Sequence, residues 1–131
     1  MNIVSAWGSD PQLNKLAEDV VNFCIEKLMP KMKTLDICIE MSDDIDVKGY
    51  CMAVDKREFV IEVDSTLEVS ELVETVCHEM VHVKQYARGE LAIDGKQQYK
   101  TMEEYMDLWY EKEAYALEGE LAIQFLERIE A

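Results

Sequence analysis

The chain has two histidines, and they stand four residues apart inside one segment with helical apolar spacing. From about Ser70 to Arg88, the residues Leu72, Val73, Val76, Cys77, Met80 and Val81 mark a buried helix face, and Gly89 is placed to end it. Four residues is about one helical turn, so His78 and His82 share a face, while Glu79 is rotated from His78 by about 100°. Any fold built on this segment has to pack a helix that carries three polar, titratable side chains among its apolar ones.

The remaining segments predict what packs around that helix. Asp10-Pro11 reads as an N-cap followed by proline at the first helical position. Leu13, Leu16, Val20, Phe23, Cys24 and Leu28 then recur at helical spacing until Pro30, which predicts a first helix from about 11 to 29. From Thr34 to Met41 the rhythm changes to period two, with Leu35, Ile37, Ile39 and Met41 on one face, as in a half-buried strand. Two further strands, near 48–54 and 58–63, flank the polar turn Asp55-Lys56-Arg57 and read as an antiparallel hairpin. A loop over about 89–100 carries the turn signal Asp94-Gly95, and a last helix follows from about 102 to 129. The predicted order is α-β-β-β-α-α: one α+β domain over 1–131 with a short, mainly antiparallel sheet packed by helices. Ile3, Val4 and Trp7 precede this pattern and fit either a tail or a cover over a cleft.

Composition excludes several functions. With 13 basic and 28 acidic residues the formal charge is −15, which repels a phosphate backbone and argues against nucleic acid as a partner. The acidity fits a role in solubility, or in steering cationic substrates or metal ions. No apolar run approaches the roughly 20 residues of a membrane span, and residues 1–7 lack the pattern of a secretory signal. A monomeric cytoplasmic protein without membrane contact is the expectation. Cys24, Cys38, Cys51 and Cys77 form no Cys-x-x-Cys pair and read as reduced thiols used in packing.

His78-Glu79-Met80-Val81-His82 matches the His-Glu-x-x-His pattern of zinc proteases. Both imidazoles can reach one ion, and Glu79 can reach a water on that ion as general base. A chance match in a chain of this size has odds on the order of a few per thousand. A catalytic zinc site takes three protein ligands, and with no third histidine the remaining one has to be a carboxylate or a cysteine. On a helical wheel centred on Glu113, Met106, Trp109, Ala116 and Leu117 cluster around it, which places Glu113 on an apolar stripe and makes it the candidate third ligand. The plain alternative is that Glu113 pairs with a buried Lys or Arg. On the same wheel Glu111 and Glu118 fall on the opposite, solvated side, and Glu120 and Gln124 are candidates for orienting the histidines.

These features together resemble the gluzincin class of metallopeptidases, with a third glutamate ligand on a later helix, and among them the minimal SprT-like forms of phages and bacteria. Phe59 to Tyr86 is similar to their edge strand and active-site helix, and Trp109 to Tyr115 to their glutamate-helix segment. SprT itself uses a third histidine, absent here, and such segments often read Pro-Trp-Glu where this chain has Leu108 before Trp109. The peptidases that act on phage repressors share a downstream Glu-Ala pair. The resemblance implies a zincin-like fold, Zn2+ held by His78, His82 and Glu113, and Glu79 as base in peptide hydrolysis. A phage-encoded copy would work in the host cytoplasm. It further implies a protein or peptide substrate added to the upper edge strand, placed near 58–63. Tyr86, Tyr99 and Tyr110 are the candidate oxyanion donors. The rival readings are a zinc-binding domain with little or no turnover, acting as a regulator or interaction module, and an adaptor whose acidic face binds a basic partner.

Overall fold

The computed structural model describes residues 1–93 and 108–130. In chain order the elements are β1 (Ile3–Trp7), α1 (Pro11–Leu28), β2 (Asp36–Ser42), β3 (Gly49–Ala53), β4 (Glu58–Asp64), α2 (Val69–Ala87) and α3 (Trp109–Glu130). The α+β class and the predicted succession of three helices and three strands hold, and one further strand, β1, precedes them. The loop turn at Asp94-Gly95 and the helix start near 102 lie outside the described residues.

Local chemistry accounts for the element boundaries. The Asp10 carboxylate caps α1 by accepting from the amides of Gln12 and Leu13, and Pro11 takes the first-turn position whose amide needs no partner. Gly89, at φ 75°, closes α2 in the left-handed conformation that glycine adopts without penalty. Arg57 in the β3–β4 turn donates to the Ala87 carbonyl at 2.8 Å, which ties the hairpin to the C-terminal end of α2.

The four strands lie in the order β1-β2-β4-β3, and the sheet is mixed rather than mainly antiparallel. β1 runs parallel to β2 because α1 forms the crossover between them, and β2 runs parallel to β4 in the register Ile37↔Phe59 and Ile39↔Ile61. Only β3 with β4 is antiparallel. β4 is therefore an interior strand. The edge beside α2 belongs to β3, so an edge strand at 58–63 is corrected to 49–53. Asn2 anchors β1, accepting from the Leu35 amide and donating to the Met32 carbonyl.

Ile37, Ile39, Phe59, Ile61 and Val63 face a common core with Val20, Val21 and Cys24 of α1 and with α2. Residues 75 to 83 of α2 are buried without a break, so this helix runs through the middle of the molecule, with the sheet, α1 and α3 around it. All four cysteines are free thiols; Cys24 and Cys77 meet in the core with their sulfurs 3.8 Å apart. Among the described residues no helix is long and apolar enough to cross a membrane.

Candidate metal centre

Because α2 is buried on all sides, His78, Glu79 and His82 are only 8%, 6% and 8% exposed. Buried polar groups need partners, and α3 supplies most of them. Oε1 of Glu111, itself 4% exposed, lies 2.9 Å from Nε2 of His78 and 3.1 Å from Nε2 of His82.

The outer ring nitrogens fix how those Nε2 atoms present themselves. Nδ1 of His78 lies 3.2 Å from a carboxylate oxygen of Glu118, an acceptor to which Nδ1 can donate when Nε2 is left free for a cation. Gln85, fully buried, spends its amide protons on the Tyr110 carbonyl at 3.0 Å and the Glu113 carboxylate at 2.9 Å. Its Oε1 is thereby turned to accept from Nδ1 of His82 at 2.8 Å. In neutral imidazoles both Nε2 lone pairs then point at the Glu111 carboxylate, so that three acceptors converge. Such a group needs protons or a cation. All three ligand atoms lie within 4.8 Å of one another, so His78, His82 and Glu111 can hold a metal ion. The contacts of 2.9 and 3.1 Å approach the edge of about 3.3 Å expected between ligand atoms of a tetrahedral zinc site with bonds of 2.0–2.1 Å.

Without a metal, protons take the cation's place. Burial makes each imidazole a weaker base, but the hydrogen bonds and charge of Glu111, with the charge of Glu79, outweigh it and hold both histidines above the ordinary imidazole range. Burial likewise pushes the Glu79 carboxyl up, against the pull of the two imidazoles. Glu79 forms no hydrogen bond among the described residues, and its side chain lies on the walls of two cavities, of about 320 and 210 Å3.

The structure brings together His78, His82 and Glu79 as the sequence predicts, but it puts Glu111 where Glu113 was expected. Glu113 accepts from Lys84 at 3.0 Å and from Gln85 at 2.9 Å. Burial raises its affinity for a proton, yet those two donors hold it below the ordinary glutamate range. The Lys pairing is the plain alternative weighed from sequence. The reason is rotational. The buried residues of α3 are Tyr110, Glu111, Ala114, Leu121, Ala122 and Phe125, and Glu113 is turned from Glu111 by about 200°. Trp109, at 50% exposure, is not among them. Glu118, one of the pair expected in solvent, instead orients His78, and Gln85 orients His82. Glu120 and Gln124 are exposed and bond to each other at 3.3 Å. The signal for Glu111 was the run of Ala114, Glu118, Ala122 and Phe125 at intervals of three and four from it.

Tyr86 and Tyr110 line the smaller cavity beside Glu79 and His82, and Tyr99 lies outside the described residues. Tyr115, which nothing in the sequence singled out, packs edge-on against His78 with ring centroids 4.6 Å apart. No family model matches this chain, and neither does any curated protein or solved structure.

Proposed function

We propose that this chain is a zinc-dependent metallopeptidase. The observation that carries the reading is the convergence of two imidazole Nε2 atoms and one carboxylate on a single point, with the buried Glu79, which has no hydrogen-bond partner among the described residues, beside it. This donor set, two imidazoles from one helix and a carboxylate from a later one, suits zinc and leaves a position for substrate or water. It also agrees with the gluzincin resemblance, with Glu111 in the role expected for Glu113.

A zinc ion held there would polarise the substrate carbonyl and lower the pKa of a water to about 7. The residues of the chain do the rest. Glu79, whose burial raises its proton affinity toward that of the water, takes the proton and returns it to the leaving amine. Glu118 and Gln85 keep both imidazoles in the tautomer that aims Nε2 inward. Tyr86, Tyr110 and Tyr115 line the two cavities, and oxyanion support would come from hydroxyls among them. The edge of β3, which borders both cavities through Gly49, offers backbone groups to an extended peptide.

The test is Glu79→Gln. Zinc content should be unchanged and cleavage of an unfolded protein such as casein should be lost. Cleavage at the parent rate would eliminate the proposed base. Stoichiometric zinc without cleavage by the parent chain would favour a zinc-binding module that does not turn over.

A further inference from the structure

The two cavities that flank the candidate centre differ in chemistry. They share two wall residues, Gly49 of β3 and Glu79 of α2. The base therefore stands at a waist, and a bond placed beside it has its flanking side chains directed one to each cavity. The larger cavity is acidic: among the described residues Glu71, Glu74, Glu79 and Glu118 line it with Lys48, which Glu71 engages at 3.0 Å, and with His78, which Glu118 approaches at 3.2 Å. Glu74 is an exposed carboxylate on its wall. Beside Glu79, His82 and Glu111 of the candidate centre, the smaller cavity is lined by Tyr50, Cys51, Tyr86, Leu91 and Tyr110, a mainly aromatic and apolar remainder. Glu79 adds an independent sign of a ligand, a carboxylate that is 6% exposed and lacks a hydrogen-bond partner among the described residues.

From this asymmetry we infer that the cleft selects peptide segments with a basic side chain on one side of the scissile bond and an apolar one on the other. The inference rests on the peptidase reading. A lysine or arginine entering the larger cavity meets carboxylates that Lys48 alone does not neutralise. A leucine or aromatic side chain entering the smaller one meets surfaces that gain from losing water. The overall charge of −15 draws cationic chains toward the molecule from a distance.

Two measurements test this and separate it from the peptidase reading. The first is binding of short fluorescent peptides to zinc-supplemented Glu79→Gln protein by anisotropy. The peptides carry lysine, norleucine or glutamate at one flank and leucine or aspartate at the other. Lysine should bind about fivefold tighter than norleucine at low salt, and added salt should shrink the gap. Glu74→Lys, a surface change on α2, should abolish that advantage, and Glu74→Gln should reduce it. Leu91→Asp should remove the preference for leucine. Equal binding of lysine and norleucine peptides, or a lysine preference that survives Glu74→Lys, would overturn the inference. The second is cleavage of a position-scanned peptide library by the parent chain, where basic and apolar residues should flank the cut on opposite sides. Binding with the expected preference but no cleavage would refute the peptidase reading and leave the ligand class standing.

Discussion

Replacing Glu111 with glutamine keeps the shape of the side chain and removes its charge. If Glu111 is the third ligand, the loss can be sized. Zinc held by four donors in small domains is bound by about 10–16 kcal/mol, so one anionic donor carries roughly 3–4 kcal/mol of it. That corresponds to a Kd weaker by about two to three orders of magnitude. Glu113→Gln touches the centre only through Gln85 and His82, so its effect should stay within about tenfold. Competition against a chromophoric chelator measures both. A second readout needs no metal. Against the effect of burial, the hydrogen bond and charge of Glu111 help to raise the proton affinity of His78 and His82, so NMR titration of metal-free Glu111→Gln should show both imidazole pKa values falling. Parent-like zinc affinity in Glu111→Gln, or a larger loss in Glu113→Gln, would refute the assignment.

Three other outcomes follow from the same contacts. In the metal-free chain, stability gained from His78 and His82 is complete below the free imidazole pKa of about 6.5 and is lost as pH rises through their higher folded values. Glu79, also raised, acts in the same direction at lower pH, so thermal stability of this form should fall with rising pH while the increment from added zinc grows. A zinc increment that shrinks as pH rises would contradict this. Gln85→Leu removes the acceptor of His82 Nδ1 and the donor to the Tyr110 carbonyl and to Glu113. Denaturant unfolding should show a loss of about 2–4 kcal/mol, with zinc affinity down by about 10- to 100-fold. Gly49→Ala would put a Cβ 2.8 Å from Cγ2 of Thr75 and 2.9 Å from the Glu62 carbonyl, forcing β3 away from α2. A cost of about 1–3 kcal/mol is expected by the same assay, and an unchanged midpoint would show that the strand is not held that closely.

The helix that carries the motif was readable because its apolar spacing, its two histidines and Gly89 all agree. The strands at 36–42 and 58–64 were readable because Ile37, Ile39, Phe59, Ile61 and Val63 alternate with polar residues over a half-buried sheet. Strand β1 was not legible, because its five residues sit at a sheet edge with a single paired side and Ile3 and Trp7 exposed, which leaves no alternation to read. Sheet direction was hidden for a related reason: α1 makes β1 and β2 parallel, and a crossover cannot be inferred when its first strand is unseen. The acid that faces the histidines was missed on rotation. α3 exposes Trp109, Tyr115, Ile123 and Ile129, so its apolar residues do not mark one face, and a wheel centred on Glu113 turned the true inner acid toward solvent. Cavity walls depend on which side chains three separate elements bring together, and no single segment encodes that.

X-ray absorption at the zinc edge, recorded on stoichiometrically loaded protein, addresses the metal centre directly. Two imidazoles with oxygen ligands at about 2.0–2.2 Å, and no sulfur, are the expected first shell; the outer-shell imidazole signal should correspond to two rings. A sulfur shell near 2.3 Å, or an all-oxygen shell without imidazole scattering, would show that His78, His82 and Glu111 do not hold the metal.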